Sequence, residues 1–198
     1  MRFRRLVLAS NNAGKLAELA ALVAPFAIEV LPQSAFAVSE AKEPHITFVE
    51  NALAKARHAA AHAGAPALAD DSGLCVEALD GGPGVRSARL AGEPASNEAN
   101  NKRLVELLHD VDDRRAHYYC VLVLVRRADD PQPVIAEGEW HGEILRVPRG
   151  RGGFGYDPLF WLPQLGCSAA ELPAERKNEL SHRARAFGRL VERLREIG

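Results

Sequence analysis

Residues 6–15 read Leu6-Val7-Leu8-Ala9-Ser10-Asn11-Asn12-Ala13-Gly14-Lys15, and this stretch decides the fold class. Leu6 to Ala9 is a short continuous apolar run, the pattern of a strand buried on both faces. The following Ser-Asn-Asn-Ala-Gly cluster forms a turn. Leu16, Leu19, Ala20 and Val23 then recur at i, i+3, i+4 and i+7, which predicts a helix to about Pro25. Phe26 to Leu31 reads as a second strand. Strand, loop, helix, strand is the opening of an α/β fold.

Downstream, Thr47 and Glu50 predict a capping box, so a helix begins there. Val49, Ala52, Leu53, Ala56 and Ala60 give it an apolar face, and Asn51, Lys55, His58 and His62 give it a polar stripe. Pro66 to Ala69 reads as a short strand that delivers Asp70-Asp71-Ser72-Gly73 at its end. A Gly-rich stretch over 80–84 leads to a helix from about Asn97 to His109. Tyr118 to Val125 is a β-branched run, Asp129-Asp130-Pro131 a hairpin-type connection, and Val134 to Val147 one or two further strands. The tail from Leu180 to Ile197 reads as an amphipathic helix. No repeat or long linker interrupts the pattern, and a single domain over 1–198 is expected.

The 198 residues carry 25 Lys plus Arg against 26 Asp plus Glu, a net charge of -1, which excludes a globally basic nucleic-acid binder. Cys75, Cys120 and Cys167 are too far apart for a metal knuckle or a disulfide framework, and read as apolar thiols in a reducing compartment. The basic start, Met1 to Arg5, is followed by an apolar run too short for a signal-peptide core. No stretch approaches the roughly 20 apolar residues of a membrane span. A soluble cytoplasmic protein, with no nucleic-acid or membrane partner, is expected.

Four segments carry candidate chemistry. Ser10 to Lys15, between a buried strand and a helix, presents backbone N–H groups, the positive end of a helix dipole and a lysine, all suited to an anion. The P-loop pattern is absent from it. Asp70 and Asp71, with Glu40 and Glu43 upstream, suit Mg²⁺, and one carboxylate could orient or deprotonate a water. Gly150, Gly152 and Gly155 satisfy G-x-G-x-x-G, but Tyr156-Asp157-Pro158 follows where a dinucleotide site needs a helix. That segment reads instead as a loop carrying Phe154 and Tyr156, aromatics able to stack on a base. Lys177, His182 and Arg183 are donors suited to a base carbonyl or a phosphate. A serine-hydrolase elbow and a zinc-protease motif are both missing.

Taken together, LVLASNNAGK, FVENALAKARHAA, ALADDSGL, PGVRSAR, GGFGYDPLF and KNELSHRA resemble, in this order, the inosine triphosphate pyrophosphatase family, the bacterial dITP/XTP pyrophosphatases among them. The resemblance implies an elongated two-lobed α/β domain with a central mixed twisted sheet flanked by helices and an active cleft between lobes. It implies Mg²⁺-dependent hydrolysis of ITP, dITP and XTP to the monophosphate and pyrophosphate, in a homodimer. Carried over by position, Asp71 is the proton acceptor and a metal ligand, with Glu43 the second ligand and Glu40 its rival. Ser10, Asn11, Asn12, Ala13, Gly14 and Lys15 form the substrate loop, and Ser72 is a further contact. Phe154, Gly155, Tyr156 and Asp157 form the nucleoside loop, while Lys177, His182 and Arg183 recognise the base. Two rival functions remain: a pyrophosphatase for another modified or pyrimidine triphosphate, and a non-catalytic nucleotide-binding regulator.

Overall fold

The structure, a computed structural model, describes residues 5–26, 28–39 and 41–196, so Glu40 and Ile197 lie outside the described residues. The helices and strands run β1 (Arg5–Leu8), α1 (Ala13–Val23), β2 (Glu29–Pro32), α2 (Phe48–Ala63), β3 (Ala67–Val76), α3 (Asn97–Leu107), β4 (Arg115–Val125), β5 (Val134–Ile144), β6 (Phe160–Leu162), β7 (Cys167–Ser168), α4 (Ala174–Leu180) and α5 (His182–Glu196). The strands form one seven-stranded sheet in the order β2-β1-β3-β4-β5-β6-β7. β1 pairs parallel with β2 (Val7 opposite Leu31) and with β3 (Leu8 opposite Leu68). β6 pairs antiparallel with β5 and with β7, so the sheet is mixed, as expected.

The first strand and helix form where the apolar pattern places them. Leu6, Val7 and Leu8 are buried, and Asn12 caps α1 by accepting the Lys15 N–H at 3.1 Å. Thr47 caps α2, accepting from the Glu50 N–H and donating its hydroxyl to the Glu50 carboxylate. The second strand starts at Glu29 rather than Phe26, because Ala24–Phe26 turns once more as a 3₁₀ helix.

Two sequence readings are corrected. The strand predicted to stop before Asp70 instead continues through Asp70-Asp71-Ser72-Gly73 to Val76. A polar run that looks like a turn stays extended because Lys15 and Lys55 meet its carboxylates and Leu74 and Val76 beyond it are core residues. The helix predicted from Leu180 begins at His182, and a separate short helix, α4, precedes it. Ser181 between them has extended backbone (φ -65°, ψ 161°), so Lys177 belongs to α4 while His182 and Arg183 open α5.

The chain forms two compact units, each with its own core. The first takes in the residues up to Asp71, Cys120–Gly138 and the residues from His182 onward. Its core packs Leu6, Leu8, Leu68 and Leu122 of the sheet against Leu19 and Val23 of α1 and Phe187 and Leu190 of α5. Each such buried side chain contributes about 1.5–3 kcal/mol. Gly138 sets where α5 begins: a Cβ there would lie 2.2 Å from the His182 carbonyl oxygen and 2.5 Å from the Ala186 nitrogen. The second unit comprises Ser72–Tyr119 and Glu139–Ser181. Its core is aromatic: Phe160 lies 4.6 Å from the Tyr118 ring and 5.5 Å from Trp140, with Leu104, Leu159 and Leu162 around them. Among the described residues no helix is long and apolar enough to cross a membrane.

Candidate active site

In the first unit, α1, α2, β3 and α5 bring charged side chains together. Lys15, the third residue of α1, places its Nζ 2.8 Å from Asp70 Oδ1. Arg183 reaches Asp70 Oδ2 from both Nε and Nη2 at 3.3 Å, and its Nη1 pairs with Glu18 of α1. The Cys120 thiol also faces Asp70 Oδ2, at 3.7 Å. One residue along, Lys55 Nζ lies 2.9 Å from Asp71 Oδ1 and 2.6 Å from Glu43 Oε1. Asn51, a turn earlier on α2, donates to Asp71 Oδ2 at 3.4 Å.

The two neighbouring aspartates are pushed in opposite directions. Burial alone would raise Asp70, but Lys15, Arg183 and Lys55 overcome it and hold the carboxyl well below the usual range. For Asp71, burial prevails: Lys55 and Lys15 pull the value down, Glu43 pushes it up, and the net shift is upward. Burial opposes the charge on Lys55, yet Asp71, Asp70 and Glu43 together keep that lysine above its ordinary value. Burial also opposes the charge on Arg183, and Asp70 and Glu18 override it. The two adjacent carboxyls therefore differ in basicity. Asp70 is a fixed counter-ion, and Asp71 is the better proton acceptor.

The carboxylates of Glu43 and Asp71 converge on one cation, the Lys55 ammonium, which identifies a place where two hard oxygen donors meet a positive charge. Such a pair fits Mg²⁺, which takes one or two carboxylates and fills its remaining positions with water and phosphate oxygens. Among the described residues no group of three His, Cys, Asp or Glu side chains is placed to hold a metal ion.

The remainder of the predicted substrate loop lies at the start of α1. The Asn12 N–H bonds Ser10 Oγ at 3.2 Å, Asn11 is exposed, and Ala13 and Gly14 form the first turn. His182, 5% exposed, opens α5 beside Arg183, which is 1% exposed.

The second unit holds Ser72, Phe154, Gly155, Tyr156, Asp157 and Lys177. Asp157 Oδ2 accepts from Lys177 Nζ at 2.6 Å and from the Phe154 N–H at 2.8 Å, while Tyr118 donates to Oδ1 at 3.3 Å. The Lys177 ammonium also lies 4.7 Å from the centre of the Phe154 ring, a cation–π contact. Gly153, at φ +68°, makes this turn possible, since a Cβ there would lie 2.0 Å from Asp157 Oδ2. Asn101 of α3 donates to the Gly155 carbonyl at 2.9 Å. Of the two loop aromatics, Phe154 is half-buried, whereas Tyr156 packs in the core and donates its hydroxyl to the Ser87 carbonyl at 2.7 Å. Ser72 is half-buried in β3. The cysteines are free thiols, and burial pushes Cys75 up to about 11, which leaves it unreactive near neutral pH.

Sequence reasoning left out Glu18, Asn51, Asn101 and Tyr118 as members of these clusters. Glu18 follows Lys15 by three residues, hence on the same helix face, and Asn51 precedes Lys55 by four; both signals were available. Nothing local marks Asn101 or Tyr118.

A mixed α/β sheet bearing this lysine–aspartate cluster defines the class. Residues 6–193 match the Ham1 family, and the chain belongs to it. It is 67% identical over 190 residues to the dITP/XTP pyrophosphatase of Aromatoleum aromaticum, covering 96% of each chain. The dITP/XTP pyrophosphatase of Nitrosomonas europaea is 64% identical over 192 residues, covering 97% of this chain and 95% of that one. Among solved structures, a HAM1 protein from Coxiella burnetii superposes with a TM-score of 0.89 at 47% identity, covering 97% of this chain and 98% of its own.

Proposed function

We propose that this chain is a nucleoside triphosphate pyrophosphatase that hydrolyses ITP, dITP and XTP to the monophosphate and pyrophosphate. The observation that carries the reading is the buried Asp70–Asp71 pair, met by Lys15 at 2.8 Å and Lys55 at 2.9 Å, with Glu43 on the same Lys55 ammonium. Support also comes from the family membership and from relatives that bear the name dITP/XTP pyrophosphatase.

Glu43 and Asp71 would hold Mg²⁺, which when bound offsets phosphate charge and polarises the reacting phosphorus. Asp71 orients the attacking water and accepts its proton, a role suited to a carboxyl that burial makes more basic. Lys15 and Lys55 stabilise negative charge developing on the phosphates, and the Ser10–Gly14 turn adds backbone N–H donors at the start of α1. Asp70 orients Lys15.

In the second unit, Asp157 fixes Lys177 and the Phe154 backbone, and Phe154 offers an aromatic face to the base. Gly155, Tyr156 and Ser72 complete the nucleoside contacts, with the Tyr156 side chain anchoring the loop. In the first unit, His182 and Arg183 are donors of the kind that suit the oxygen at purine position six, and Asp70 and Glu18 hold the guanidinium plane in place. Adenine presents an amino group there instead, and each mismatched buried hydrogen bond costs about 1–3 kcal/mol. The protein acts in the cytoplasm as a homodimer.

The test is incubation with Mg²⁺ and, separately, ITP, dITP, XTP, ATP, GTP and UTP, quantifying pyrophosphate and orthophosphate. Pyrophosphate mainly from the first three is the expected result. Orthophosphate in its place, turnover mainly of UTP, or nucleotide binding with no product would overturn the reading.

A further inference from the structure

The polar stripe of α2 is a zipper for the preceding loop. Asn51 meets His45, Lys55 meets Glu43, and His58 meets Ser39, so the loop runs back along the helix as the stripe climbs it. Asn51 holds the part nearest Glu43 most completely. Its Oδ1 accepts the His45 N–H at 3.1 Å and its Nδ2 donates to the His45 carbonyl at 3.1 Å, a two-point backbone clamp. The same Nδ2 donates to Asp71 Oδ2 at 3.4 Å. An amide has two N–H donors and one carbonyl acceptor, and here both kinds are engaged by a side chain only 2% exposed. A carboxylate could not donate to Asp71, and an aliphatic side chain would leave the His45 backbone unclamped.

We infer that Asn51 is a positioning residue, which ties the Glu43 loop and the Asp71 carboxylate to one point of α2 and so fixes the distance between the two acidic groups. Glu43 is carried on an exposed loop, whereas Asp71 is set in a buried strand. Without the clamp the loop drifts and the two carboxylates cease to converge. This inference rests on the assignment of Glu43 and Asp71 as metal-holding residues made above.

The experiment measures Mn²⁺ binding to the nucleotide-free protein by the electron paramagnetic resonance of free Mn²⁺, beside kcat and KM for ITP. It compares wild type, Glu43→Gln, Asn51→Ala, the double variant, and His45→Pro, which removes the clamped N–H from the exposed side of the loop without emptying a buried site. Residues that support a metal ligand typically change affinity about 10–100-fold. Asn51→Ala and His45→Pro are expected to weaken Mn²⁺ binding by such a factor and to lower kcat, with KM for ITP within about threefold. Adding Asn51→Ala to Glu43→Gln should cost little more, because both act through one carboxylate. Unchanged Mn²⁺ binding in Glu43→Gln would overturn the metal assignment itself. Weakened binding in Glu43→Gln but not in Asn51→Ala or His45→Pro would overturn the role of Asn51 alone, as would full multiplicative loss in the double variant.

Discussion

Asp70 and Asp157 are both buried aspartates paired with a lysine, and they behave differently because of what else they touch. Asp157 meets one ammonium and two neutral donors, the Phe154 N–H and the Tyr118 hydroxyl. It is a local fastening, fixing the turn that carries Phe154. Asp70 belongs to a shared set in which Lys15, Lys55 and Arg183 serve Asp70, Asp71, Glu18 and Glu43. Lys55 and Arg183 are each shared between two carboxylates there, Asp71 and Glu43 for the one and Asp70 and Glu18 for the other. The difference teaches that a fastening within one turn builds structure, whereas a network of shared cations is poised to exchange partners with a substrate.

The comparison is broken most forcefully by removing the hub. Asp70→Asn leaves Arg183 buried without a charged partner at that carboxyl, and breaking a buried pair in this way costs about 3–5 kcal/mol. Denaturant unfolding should show that loss; a midpoint unchanged from wild type would mean that Glu18 alone satisfies Arg183. Asp157→Asn keeps an acceptor for one donor and should cost less, about 1.5–3 kcal/mol, the range for hydrogen bonds to a charged group. If the two variants lose equally, the contrast between hub and fastening fails.

A pH titration of stability sharpens the same point with a smaller effect. The Asp70 carboxyl is depressed in the folded protein, so it contributes stability above the unfolded carboxylate value of about 3.9 that is lost as pH falls through the folded value. Asp71 has the opposite sign: raised in the folded state, it opposes folding once ionised. Wild type should therefore lose stability on acidification below about pH 4, and Asp70→Asn should lose it less steeply. Parallel slopes would contradict the depressed value.

The fold was legible at its opening, because the apolar run Leu6-Val7-Leu8 and the Leu16/Leu19/Val23 spacing each have one structural solution. The Asp70-Asp71 segment was misread as a strand end because local chemistry favours a turn there, and only the distant Lys15, Lys55 and Arg183 make an extended, buried course tolerable. Ser181 hid the break between α4 and α5 for a related reason, since it is neither Pro nor Gly. The site residues were legible as motifs, yet their partners were not. Arg183, read as a donor for a base, proved to be held by Asp70 and Glu18, and Tyr156, read as a stacking ring, proved to be anchored in the core.

The measurement that tests the central claim most directly compares Asp71→Asn with wild type in two separate readings, kcat for ITP with Mg²⁺ and nucleotide affinity by calorimetry. The change keeps the shape of the side chain and removes its ability to accept a proton. A positioned general base contributes about 10²–10⁴-fold, so kcat should fall by that factor while affinity moves only a few-fold. Wild-type turnover in Asp71→Asn would contradict the account, since the group on which the mechanism turns would then be dispensable.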